Sequence, residues 1–295
     1  MNLVLQTLVS TLVQGSMLAL ITIGMSLVYG TLRVLNMAQG VMVMVGGVAA
    51  WTFVSGTGLS PWLGMIVAVI VAALLGMLSY GVGISRLIGR AGVDFEMTAF
   101  ISTFAIASIV QNLVQLIYGP RQKDFPVLVP GRIQLTEGVS ITWQQILTAA
   151  IAIAALSLLG LFLTRSRYGL AIVAVAQNLD AARLMGIPAR RAYVLTMGLA
   201  AGLAGLAGVL LAPVYFVSPG MGDLPMLQAL IVAIFAGLGS TRGTIIAAYI
   251  IGFVQAAVSI FWSSTYAMPV LYALIVVVLI VRPFGIAGKP QEARL

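Results

Sequence analysis

Few side chains in this chain could carry a proton or hold a metal. There are seven carboxylates (Asp94, Glu96, Asp124, Glu137, Asp180, Asp223 and Glu292), two lysines (Lys123 and Lys289), and neither histidine nor cysteine. All of them fall between long apolar runs or at their edges. A proton-coupled carrier generally keeps a carboxylate or histidine within the membrane as a relay. Hydrolysis there needs paired aspartates, a serine with a basic partner, or metal ligands. None of these can be assembled from the apolar runs. Thiolate chemistry and disulfides are excluded, and no glycine-rich loop ends in Gly-Lys-Ser or Gly-Lys-Thr to hold a nucleotide. The expectation is a conduit, not an enzyme, that binds no cofactor and takes its energy from elsewhere.

Neutral polar residues remain. Asn36 and Gln39 sit at a small-residue break, where they either line a path or cap the following helix. Gln111 and Gln115 share a helix face by their i, i+4 spacing, with Asn112 beside them, in an otherwise apolar run. Interhelical hydrogen bonding accounts for them more simply than substrate contact. Gln228 and Gln255 carry the same two readings, and Gly237, Gly239 and Ser240 mark a second break. Gly198, Gly202, Gly205 and Gly208 allow close helix approach. Asp223, beside Pro225, reads as a solvated charge in an outer loop.

The most polar stretch is 165–192. Within it, Asp180 starts a short helix-compatible run that ends at Gly186, with Pro188 beyond. Acid at the start and glycine past the end suit capping and the helix dipole. Two turns are marginal alone in water, so a partner's groove is the expected support.

The elements that must position these residues are membrane spans. The 295 residues are 61% hydrophobic and 7% charged, against about a quarter charged in soluble domains, and the mean hydropathy is +1.12. Apolar runs lie at 9–30, 41–57, 61–83, 98–118, 143–164, 193–217, 224–240, 243–262 and 266–281. This predicts an all-α polytopic transmembrane bundle of eight to nine segments. The second, seventh and ninth runs are short for a crossing of about 20 residues, so some of them are expected to be tilted, broken or re-entrant. The N-terminal run lacks a basic leader and reads as a retained span. With the N-terminus outside, 12 Lys and Arg fall inside and 3 outside (Arg121, Lys123 and Arg132), a clear positive-inside bias. The net charge of +8 is therefore topogenic, with no basic stripe for nucleic acid. The outer loop 119–142 predicts a small hairpin from the alternation at 132–135 and 139–142. A weak internal echo pairs 33–47 with 237–252; two ordinary glycine-rich turns explain it equally well.

Three stretches carry a resemblance. Ala174 to Ile187, with Gln177-Asn178-x-Asp180-Ala181-Ala182-Arg183-x-Met185-Gly186, resembles the coupling loop of permeases of the branched-chain amino acid ATP-binding-cassette (ABC) transporter family. Leu35-Asn36-Met37-Ala38-Gln39-Gly40 is similar to that family's Asn-Phe-Ala-His-Gly segment, departing at Met37 and Gln39. Gly237-Leu238-Gly239-Ser240-x-x-Gly243 is similar to its Gly-Leu-Gly-Ser-x-x-Gly segment, and Arg282-Pro283-x-Gly285 to its C-terminal signature. The likeness runs along essentially the whole chain and matches the shorter, LivH-like member of the two paralogous permeases. It implies a single permease domain over 1–295 in the inner (cytoplasmic) membrane. The implied partners are a second permease, as a heterodimer, two cytoplasmic ATPases carrying ATP-Mg, and a periplasmic binding protein. The ATPases would contact Ala176, Gln177, Asn178, Asp180, Ala181, Ala182, Arg183, Leu184, Met185, Gly186 and Ile187. Branched-chain amino acids are the first expected substrates; other amino acids, urea or short amides follow. A stand-alone carrier or channel is the rival class.

Overall fold

The computed structural model describes residues 2–88, 94–136, 139–282 and 285–288. The expectations that involve Arg90, Glu137, Pro283, Lys289, Glu292 and Arg294 lie outside the described residues. The helices are α1 (Asn2–Leu32), α2 (Gln39–Thr57), α3 (Pro61–Ser79), α4 (Phe95–Tyr118), α5 (Trp143–Arg165), α6 (Arg167–Gln177), α7 (Leu179–Leu184), α8 (Ala189–Tyr215), α9 (Asp223–Ala236), α10 (Thr241–Phe261) and α11 (Ala267–Val281). A π-helical turn, Tyr80–Ile84, prolongs α3. The expected outer hairpin is β1 (Arg132–Thr136) and β2 (Val139–Thr142), antiparallel, with a register irregularity between Gln134 and Thr136. Among the described residues eight helical segments are long and apolar enough to cross a membrane; α9 is shorter. The fold is all-α and polytopic, as its hydropathy dictates.

Local chemistry sets the helix ends. The carboxylate of Asp94 accepts from Met97 N and opens α4. Thr142 and Gln145 form a reciprocal capping box on α5. Ser166 caps α6 and Ser240 caps α10. Gly58, at φ 67°, closes α2 in the left-handed region that a side chain disfavours.

One order of elements recurs in two halves of the chain. In the first, α1 is followed by a non-helical break (33–38), then α2, α3 and α4. In the second, α8 is followed by a non-helical break (216–222), then α9, α10 and α11. Both breaks open on a non-glycine residue at positive φ, Arg33 and Phe216, each at 59°. The packing is reciprocal, with α1 lying along α10 and α8 along α3. Small residues make both seams: Gly15 meets Tyr249 and Gly252, while Gly205 meets Ala68 and Ala72. Van der Waals fit of this kind is what associates helices in lipid. The structure therefore pairs 33–38 with 216–222, and not with 237–252 as the sequence echo had it. The echo followed glycine content, whereas the repeat is defined by where helices break.

Gln39, the first residue of α2, reaches the carbonyls of Ile21 and Ala200. Ile21 lies eleven residues from the C-terminal end of α1 and Ala200 eleven from the N-terminal end of α8, about 16 Å at 1.5 Å per residue. A hydrocarbon core of about 30 Å puts that level near the membrane centre. Gly222, just before α9, abuts the Gly40 carbonyl. The N-termini of α2 and α9 thus meet at mid-membrane. From there α9 leads to the turn at Gly239, which packs on Gly30 near the C-terminus of α1. The seventh run is short because the chain just ahead of α9, 216–222, is not helical.

Candidate coupling segment and translocation path

Between α5 and α8, α6 and α7 form one compact unit. Ile172 and Val175 turn into the core, 0% and 3% exposed, and seat α6 against α1, α5 and α8. Gly169 makes this possible, because a side chain there would meet the Phe162 carbonyl. The cap of α7 is Asn178, not Asp180: its Oδ1 accepts from Asp180 N and Ala181 N, both at 3.1 Å. Asp180 instead lies in the first turn, where the dipole favours acid. At the other end Gly186 N donates to Arg183 O and Ile187 N to Ala182 O, with Gly186 at φ 76°, a Schellman closure. Ala182 anchors the helix at 4% exposure, while Leu184 and Met185 project at 89% and 82%. The sequence reading missed α6 as a helix; the Ile172 and Val175 spacing on a polar background was its signal.

Behind this unit lies a cavity of about 1580 Å³. The structure brings two sets of expected residues together on its wall: Ala176, Gln177, Asn178, Asp180 and Arg183 from the coupling segment, and Gly239 and Ser240 from the second break. The cytoplasmic end of α1, Gly30 to Arg33, lies between them. Gly237, at φ 88°, packs on Gly285 beside the same turn.

The other expected path residues lie elsewhere. Asn36 is 1% exposed and caps its own turn, its Oδ1 accepting from Ala38 N at 3.1 Å. Gln39 is 0% exposed; its Nε2 donates to Ile21 O at 3.3 Å and to Ala200 O at 3.2 Å, while its Oε1 has no partner. Gln39 is thereby enclosed in the seam of α1, α2 and α8. Gln111 donates to both carboxylate oxygens of Asp223 at 3.3 Å, and Gln115, one turn along α4, is exposed. Gln228 is half-buried and donates to the Met268 sulfur. Asp223, expected in an outer loop, instead begins α9 near the membrane centre. The clue in the sequence was an apolar run too short to cross, behind Gly220 and Gly222.

Among the described residues no group of three or more His, Cys, Asp or Glu could hold a metal. A polytopic bundle of apolar helices with breaks before α2 and α9 and a capped amphipathic unit between α5 and α8 is the build of a transport subunit. Residues 7–279 match the family model described as the permease component of the branched-chain amino acid transport system, and the chain belongs to that family. It is 33% identical to the high-affinity branched-chain amino acid transport system permease protein BraD of Pseudomonas aeruginosa, over 99% of this chain and 98% of that one. It is 32% identical to the LivH permease protein of Escherichia coli, over 99% and 97%. The solved structure of PsaBC from Streptococcus pneumoniae in complex with Fab shares the fold at 15% identity, with a TM-score of 0.52, covering 96% of this chain and 93% of that one. The chain is the membrane-spanning permease subunit of an ABC importer in the inner membrane, a transport subunit and not an enzyme.

Proposed function

We propose that this permease passes branched-chain or similar small aliphatic amino acids, handed over by a periplasmic binding protein, through alternating access driven by two cytoplasmic ATPases. In this reading a second, paralogous permease completes the membrane unit, 1–295 forms one permease domain, and 176–187 transmits the ATPase stroke. One observation carries it: α7 is closed at both ends by its own caps yet presents Leu184 and Met185 almost bare. A short helix with an exposed apolar tip on a rigid seat fits a groove on a moving partner. Its neighbours line the cytoplasmic cavity, so a shift of α7 changes the shape of that space directly.

The test is Gly186→Pro. Proline fixes φ near −65°, which is incompatible with φ 76°, so the Schellman closure is lost. Expression and membrane insertion should be retained, because α7 packs little against the bundle. Uptake in proteoliposomes should fall by about tenfold or more. Normal uptake would remove 176–187 from the coupling path, and loss of expression would make it part of the fold.

A further inference from the structure

We propose that Asp223, oriented by Gln111, is a subsite for the α-ammonium group of the substrate inside the translocation path, with Leu224 and Leu227 beside it to receive an aliphatic side chain. This rests on the amino-acid reading above.

Asp223 opens α9 at the level where Gly222 abuts Gly40, close to the membrane centre. It is nevertheless exposed, on the surface formed by α9 and α4. A carboxylate at that depth is costly against lipid and is found facing protein or a water-filled cavity. This face of the subunit therefore turns toward the path and the second permease, away from the acyl chains. Among the described residues the hydrogen-bond partner of the carboxylate is the Gln111 amide, 3.3 Å from both oxygens. An ionised carboxylate accepts about four hydrogen bonds, so lone pairs remain for an ammonium, whose three donors match them.

The neighbouring side chains narrow the ligand. Residues 223, 224 and 227 share one face of α9, and Leu224 and Leu227 are 45% and 47% exposed. A negative point next to two bare leucines fits a cationic head on a branched aliphatic body. The partial positive charge at the start of α9 offsets part of the carboxylate charge, which keeps the hold weak. A site inside a path must release what it binds.

The complete importer, with its binding protein, is reconstituted in proteoliposomes, and leucine uptake and ATP hydrolysis are measured at saturating loaded binding protein. Asp223→Asn should lower uptake by about tenfold while ATP hydrolysis stays within about twofold of wild type. Asp223→Glu should recover part of the uptake, and Gln111→Leu should lower it by about threefold. Uptake by Asp223→Asn within about twofold of wild type overturns the proposal. So does a parallel loss of uptake and of ATP hydrolysis, which would make Asp223 a docking or structural residue. If Asp223→Asn fails to assemble, Leu227→Cys decides, since the chain has no other cysteine. A charged, water-soluble thiol reagent should modify it, and absence of modification puts the face in lipid and overturns the proposal. A wild-type importer that hydrolyses ATP with its binding protein but moves no amino acid sinks the substrate reading and this subsite together. Mutant failures alongside normal wild-type uptake sink only the subsite.

Discussion

The helix breaks 33–38 and 216–222 are built alike but differ in what they show to the outside. Each follows a long helix through a residue at φ 59°, and the two end against each other at Gly40 and Gly222. The first is closed on itself. Asn36 and Gln39 are buried and bonded within the bundle, and Met37 N donates to Thr103 Oγ1 of α4. The second is held by the outer loop, through a two-way backbone bridge between Lys123 and Val217 at 2.9 Å. It leads into a helix whose first turn bares Asp223 and Leu224. One repeat supplies the scaffold and the other the working surface. The inverted-repeat plan of transporters places binding at such helix breaks, and here the two breaks have divided the tasks.

The most severe way to break this comparison is at the point the two stretches share. Any Cβ on Gly222 would meet the Gly40 carbonyl, backbone against backbone, and no side chain can move aside to make room. Gly222→Val should cost about 3 kcal/mol or more and abolish assembly of the permease, as read by fluorescence-detected size exclusion. Gly160→Ala serves as the control, since a Cβ there meets nothing within 4 Å, and it should be neutral or mildly stabilising. A Gly222→Val protein that assembles and transports normally would mean that the two helix starts do not meet in the working protein.

Gln39→Leu sharpens the division of tasks. The amide ties α1 to α8 through Nε2, but its Oε1 is an unpaired buried acceptor. Removing both should cost only about 1 kcal/mol, since hydrogen bonds in membrane proteins average about 0.6 kcal/mol each. Uptake should stay within about twofold of wild type, with a small drop in melting temperature. A tenfold loss of uptake at unchanged stability would put Gln39 back on the path.

The spans, the hairpin and the short α7 were legible because each leaves a direct mark: apolar length, alternation, a glycine stop. The breaks before α2 and α9 left a weaker one, in second and seventh runs too short to cross. Val34, Leu35 and Met37 in one break, and Val217 and Met221 in the other, keep hydropathy high where helical hydrogen bonds have stopped. Hydropathy reports solvent preference and not backbone pairing, so a gap between two runs did not say whether the chain there stays within the membrane. For the same reason Asp223 read as an outer-loop charge, and Gln39 could not be told from a path residue. Its enclosure depends on α8, some 160 residues away in sequence, which no local pattern encodes. Asn178 was in the correct segment, but its capping role went to the acid two residues later, because an acid suits the dipole and an asparagine supplies the actual bonds.

The smallest expected effect concerns the tie that holds the second stretch. Lys123 Nζ sits 3.9 Å from the centroid of the Trp51 ring and 5.4 Å from that of Tyr118, and the Trp51 and Tyr118 rings meet edge to face. This looks like an anchor, yet the bridge to Val217 uses the backbone N–H and C=O of Lys123, which any residue except proline supplies in full. Lys123→Met should therefore lose only the cation–π contribution, about 0.5–1 kcal/mol at a half-exposed site, and leave uptake unchanged. Lys123→Pro should do more, because it deletes the N–H and hence one of the two bridge bonds. Thermal stability and uptake of the two variants, measured side by side, separate side chain from backbone. If Lys123→Met is the more damaging, the aromatic cage holds the second stretch, and its anchoring differs from that of the first in chemistry as well as in place.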